Sequence, residues 1–136
     1  MFEILEHTAD IGFRARARSR EELFEQAAEA MGSIALETGG VAGLIEYPLE
    51  AAGEDPESLL VNWLSEVLYW MDGRQVAFHH FQVRELGSHR VAGTGFGEPR
   101  DASRHAARLI VKGVTYHQLL VKETAEGWSA EVYLDI

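Results

Sequence analysis

Residues 11–18, IGFRARAR, alternate between apolar and basic positions in period two. Phe13, Ala15 and Ala17 fall on one face and Arg14, Arg16 and Arg18 on the other, which predicts a strand with one buried and one wet face. The run Phe2 to Glu6 predicts a shorter strand before it, with the HTAD segment as the connection. The period then changes. Ser19 and Glu22 have the S-x-x-E spacing of a capping box, in which each side chain satisfies a backbone N–H at a helix start. Leu23, Phe24, Ala27, Ala28 and Met31 repeat at helical spacing, and Gly39-Gly40 predicts the stop. Residues 44–51, LIEYPLEA, read as a short strand, which Pro48 places at a sheet edge or a strand end because it lacks a donor. Asp55 predicts an N-cap, and Pro56 sits at the first helical position, where a missing N–H costs nothing. Leu59, Leu60, Trp63, Leu64, Val67, Leu68 and Met71 then form one wide apolar stripe that Gly73 ends. The remainder reads as strands at Val76 to Leu86, His89 to Gly95, Arg108 to Lys122, and Trp128 to the end. Gly87-Ser88 and Glu126-Gly127 are the expected turns, and the polar segment 98–107 is a loop or one helical turn. This order predicts an α+β fold in a single domain over residues 1–136, with two helices packed on a mostly antiparallel sheet.

Charge narrows the classes of partner. The chain carries 12 Lys plus Arg against 22 Asp plus Glu, a formal net charge of −10. Such a chain repels a phosphate backbone, so no direct nucleic-acid binding is expected. A basic partner surface or a bound cation is the natural complement. Cysteine is absent, which excludes thiolate metal sites, disulfides and cysteine nucleophiles. The N-terminal MFEILEHTAD has no basic region followed by an apolar run, and no stretch approaches the ~20 apolar residues of a membrane span. The expectation is a cytoplasmic protein with no membrane partner.

The final strand offers chemistry. In WSAEVYLDI, Trp128, Ala130, Val132 and Leu134 share a face, and Asp135 lies on the other, beside the terminal carboxylate of Ile136. Hard divalent cations take such all-oxygen sets. A further carboxylate must come from elsewhere, and Asp10, placed in a turn before Gly12, is the candidate; the alternative is that Asp10 forms the turn and Asp135 is simply solvated. The six histidines form no H-x₃-H or HEXXH pattern, and a zinc site from distant histidines has no support. His79 and His80 are adjacent in a strand, so they are expected on opposite faces. Gly93, Gly95 and Gly97 miss the spacings of phosphate loops and suggest close strand packing or a bulge. Lys112 is expected mid-strand with Ile110 and Val114 on its own face, either as a site residue or as a solubilising charge on an edge strand. No nucleophile–base arrangement stands out. The residues alone reach an acidic α+β domain with a candidate oxygen-ligand cation site, its solvated alternative still open, and no reaction.

Several stretches in order do reach further. HTADIG at 7–12, the SREELFEQAAEAM and LLVNWLSEVLYWMD helices, GEPRDASRH, VKGVTYHQL and the terminal VYLDI together resemble the archease family over essentially the whole chain. The resemblance implies a protein that is not itself an enzyme. It would activate a GTP- and Mn²⁺-dependent RNA-splicing ligase, promoting guanylylation and multiple turnover in tRNA splicing or RNA repair. It also implies a divalent metal, Ca²⁺, Mg²⁺ or Mn²⁺, held by Asp10, Asp135 and the main-chain oxygen of Ile136, with Lys112 and His7 serving the partner ligase. A different class of function is a metal-independent, chaperone-like module that binds nucleic-acid-modifying enzymes. A third, a free-standing metal-dependent hydrolase, lacks a nucleophile or general base to carry it.

Overall fold

The structure, a computed structural model, describes residues 1–6 and 10–136. The strands are β1 (Phe2–Glu6), β2 (Asp10–Ala17), β3 (Ile45–Ala52), β4 (Val76–Leu86), β5 (Arg90–Pro99), β6 (Gly113–Thr124) and β7 (Gly127–Asp135). The helices are α1 (Arg20–Ala35) and α2 (Pro56–Leu68). The strands divide between two antiparallel sheets, one in the order β1-β2-β7-β6 and one in the order β3-β5-β4. The α+β class, the two helices and the antiparallel pairing are as expected; the division into two sheets is the difference. The helices explain it: α1 touches β2 and β4, and α2 touches β3 and β6, so each helix bears on both sheets. A helix covered on two sides needs an apolar surface wider than one stripe. Trp63 on α2 is completely buried; its Nε1–H donates to the Phe24 carbonyl at 3.0 Å, and its ring lies 6.4 Å from that of Phe24. One side chain thus ties the two helices.

Local sequence sets the element ends. Ser19 Oγ accepts from the Glu22 N–H at 3.1 Å, which is one half of the expected capping box. The complete box stands on α2, between Asp55 and Ser58. The α1 helix ends at Ala35, before Gly39-Gly40, because the next residues have better partners. Leu36 bridges Ala107, and the Glu37 N–H donates to the Ala106 carbonyl at 2.9 Å. A π-helical turn at Tyr69–Gly73 extends α2 to the expected glycine. Pro48 lies on β3, an edge strand, as its missing donor requires. The alternating glycines of β5 sit where strands approach closely: a Cβ at Gly97 would lie 2.0 Å from the Ala77 carbonyl oxygen. No helix among the described residues is long and apolar enough to cross a membrane.

A candidate metal and partner site at one end of the larger sheet

The pairing of β2 with β7 follows from the apolar alternation of both strands. Ile11, Phe13 and Ala15 on one strand and Ala130, Val132 and Leu134 on the other are all buried, and Phe13 pairs with Val132. A slip of one residue would turn every one of these outward, so the register is strongly specified. It places Asp10 directly opposite Asp135 on the outward face. Asp10 therefore opens a strand and does not sit in a turn, contrary to the sequence expectation. The ladder with β7 recruits it. On the other side of Asp135 the partner is Gly113 of β6, which adds no side chain to the row.

Directly opposed residues on antiparallel strands hold their Cβ atoms about 4.5–5.5 Å apart, and like charges so placed repel. Neither Asp10 nor Asp135 has a side-chain hydrogen bond or ion pair among the described residues. The pair thus has no direct ion-pair partner in the described part of the chain. Its donors are hard oxygens, and Ile136 follows Asp135 with a further main-chain oxygen, so the residues suit a hard divalent cation in kind. In number they fall short. No group of three His, Cys, Asp or Glu residues among the described residues is placed to hold a metal. Water or a partner must complete any coordination. His7, which the resemblance also implies, lies outside the described residues.

Lys112 is not where the sequence placed it. Residues 108–112 are outside any strand, and Lys112 is exposed just before β6 begins. The segment is drawn away from the sheet by α1: the N–H groups of Arg108 and Leu109 donate to the carbonyls of Ala35 and Ile34 at 3.0 and 3.2 Å. The expected apolar face through Ile110 and Val114 accordingly does not form; Ile110 is exposed and Val111 is buried instead. The chain rejoins the sheet where the Lys112 N–H donates to the Asp135 carbonyl at 2.7 Å. Backbone geometry thereby brings Lys112 and Asp135 together.

Sequence reasoning missed what lies under the pair. In the next outward row Gly12, Tyr133 and Thr115 stand side by side. Tyr133 is only 7% exposed although it points away from the core, because its ring lies across Gly12. A Cβ at Gly12 would come within 2.7 Å of Tyr133 Cε1. Thr115 Oγ1 donates to the Tyr133 carbonyl and accepts from the His117 N–H, both at 3.2 Å. The His117 ring meets the Tyr133 ring edge-on at 6.1 Å. An aromatic residue on the outward face of a terminal strand, opposite a glycine, is the signal that could have found this platform.

The GEPRDASRH stretch is a fastening rather than a site. Glu98 accepts from the Ala42 N–H at 2.7 Å and His105 Nε2 at 2.9 Å, and pairs with Arg104. These bonds, the Arg104 contact first, hold the Glu98 carboxyl at about 2, well below its ordinary value. His105 is buried, and its Nδ1 accepts from the Asp101 N–H at 2.9 Å, which leaves the Nε2–H to donate to Glu98. His105 is thus a buried, hydrogen-bonded structural histidine.

His79 and His80 depart from expectation. A register irregularity of β4 between Phe78 and His80 breaks the alternation, and the two Nδ1 atoms face each other at 2.9 Å.

The fold is a small two-sheet α+β domain with two opposed carboxylates at one end of the larger sheet. The sequence profile of the archease protein family matches residues 2–136, and the chain belongs to that family. Protein archease of Methanosarcina mazei is 42% identical over 139 residues, covering 99% of this chain and 95% of the relative. Protein archease of Sulfolobus acidocaldarius is 34% identical over 136 residues, covering 99% and 98%. A Methanobacterium thermoautotrophicum protein solved in solution superposes with a TM-score of 0.83 at 32% identity, covering 99% of this chain and 98% of that one. The crystal structure of a Thermotoga maritima archease, described as a possible chaperone, shares the fold with a TM-score of 0.59 at 21% identity, covering 97% and 94%.

Proposed function

We propose that this protein activates a GTP- and Mn²⁺-dependent RNA-splicing ligase, promoting its guanylylation and repeated turnover, and that it does so through a divalent cation on the Asp10–Asp135 end. The observation that carries this reading is the register pairing of Asp10 with Asp135, two carboxylates side by side with no ion pair to either among the described residues. Asp10, Asp135 and the main-chain oxygen of Ile136 would hold the ion. Bound there, the ion would supply positive charge near nucleotide phosphates at the ligase's active-site mouth. The chain's own part is to present that end rigidly. Tyr133 over Gly12 stiffens the two strands beneath it, and Lys112, exposed beside Asp135, adds a mobile positive charge that can reach a phosphate or an acidic group of the ligase. With a net charge of −10, the protein docks on a basic surface and leaves the RNA to the ligase.

The test is RNA ligation with limiting ligase, GTP and Mn²⁺, counting products per ligase with and without this protein. A rise from about one to many supports the reading; unchanged turnover with a matched ligase removes it. A metal-independent, chaperone-like module is the second reading. The exposed apolar residues Leu109 and Ile110, near the same end, favour it as a contact surface. Full activation by a folded Asp10→Asn/Asp135→Asn variant, assayed in the Mn²⁺ that the ligase itself requires, would select this second reading.

A further inference from the structure

The smaller sheet carries an arrangement unrelated to the carboxylate pair. We propose that His79 and His80 on β4 form a binding site for a borderline divalent transition ion, Cu²⁺ or Ni²⁺, ligated by both Nδ1 atoms.

The backbone makes the site. In a regular strand these neighbours would diverge, but the irregularity of β4 at this point turns both rings to one side. Their Nδ1 atoms stand 2.9 Å apart with the ring planes at 88°. Two nitrogens at that distance share one proton in a hydrogen bond, or one metal ion in its place. With metal–nitrogen bonds of ~2.0–2.1 Å, nitrogens 2.9 Å apart subtend about 90° at the metal. That is the cis angle of tetragonal Cu²⁺ and Ni²⁺ and is narrower than tetrahedral Zn²⁺ prefers. To ligate one ion, each ring must turn its Nδ1 lone pair about 45° off the line joining the two nitrogens.

The surroundings fix and favour the pair. The His80 ring stacks on Phe96, with centroids 4.4 Å apart and planes within 1° of parallel. His79 is exposed, so an ion has access. Both rings line a cavity of about 270 Å³ that Glu29, Ser33 and Thr38 also line. Burial first, and then the charge of Glu25, push the Glu29 carboxyl above its ordinary value, opposed in part by the amino terminus and His79. A cation at the histidines would relieve that, acting as a nearby positive charge. Burial, and then His79, hold His80 below the ordinary histidine value. Two imidazoles leave the other positions to water.

The whole protein titrated with Cu²⁺ alone tests this. Calorimetry gives stoichiometry and affinity, and electron paramagnetic resonance counts coordinated nitrogens through their hyperfine splitting. One site with two equatorial nitrogens is expected. His79→Gln and His80→Gln should each weaken it at least tenfold, while Asp10→Asn with Asp135→Asn, His7→Gln and His117→Gln leave it intact. In the unmodified protein, substoichiometric Ni²⁺ should selectively broaden the His79 and His80 ring resonances, a readout that needs no variant. Absence of a nitrogen-ligated site, wild-type affinity in either histidine variant, or broadening centred on other histidines would overturn the proposal.

Discussion

Asp10→Asn should stabilise the metal-free protein and destabilise it relative to wild type once a divalent cation is present. Asparagine keeps the shape of aspartate and removes one of two charges facing each other across β2 and β7. At about 5 Å in a water-like dielectric, two unit charges repel by about 0.8 kcal/mol. Physiological salt, with a Debye length of about 8 Å, reduces that to roughly half. On a domain of 136 residues this corresponds to a rise in melting midpoint of about 1–3 °C. A cation that binds only the folded state acts in the opposite direction. At a hundredfold excess over its Kd it stabilises by about 2.7 kcal/mol, worth roughly 10 °C here, and the variant forfeits most of this. The assay is a pair of melts for each protein, in EDTA and in millimolar Ca²⁺ or Mn²⁺. The variant should melt higher in EDTA and lower in metal. A variant that melts lower in EDTA, or gains as much from the ion as wild type, would refute the reasoning from the paired carboxylates.

Other perturbations probe the scaffold and the partner surface. Gly97→Ala sets a methyl group 2.0 Å from the Ala77 carbonyl, so β4 and β5 must part; the expected loss is about 1–3 kcal/mol in urea unfolding, and an unchanged midpoint would contradict the close-packing explanation. Glu98 has a folded value of about 2 against an ordinary value near 4.5, so its contribution is present above about 4.5 and is lost as pH falls toward 2; Glu98→Gln should flatten stability over that window, as acid titration followed by circular dichroism would show. Lys112→Ala, at an exposed position outside any strand, should leave the melting midpoint within about 0.5 kcal/mol of wild type while lowering ligase turnover in the ligation assay; intact turnover would remove Lys112 from the proposed function.

Much of this fold was readable because the chain's periods change cleanly. The alternation in IGFRARAR and WSAEVYLDI marked two strands whose buried faces then dictated their mutual register, and Asp55-Pro56 marked the start of α2. Readability failed where long-range partners decided the outcome. Ala106 and Ala107 capture Leu36 and Glu37, so α1 stops before its glycines, and Ala35 and Ile34 hold residues 108 and 109 off the sheet, so Lys112 is not in a strand. An adjacent histidine pair reads as divergent unless the irregularity of β4 is known, and nothing in the local sequence announces it. The carboxylate pair was legible as residues but not as geometry. Asp10 and Asp135 are 125 positions apart, and only the pairing of β2 with β7 makes them neighbours. Tyr133 was passed over because its face of the strand looked wet, whereas Gly12 opens the space that buries it.

The central claim is that the Asp10–Asp135 pair acts through a cation to renew an RNA ligase. It is tested most directly by the number of RNA joins per ligase molecule in GTP and Mn²⁺, comparing wild type with the Asp10→Asn/Asp135→Asn double variant after both are shown to be folded. The account predicts many joins with wild type and a return to about one with the variant. Full turnover with the folded variant would contradict it.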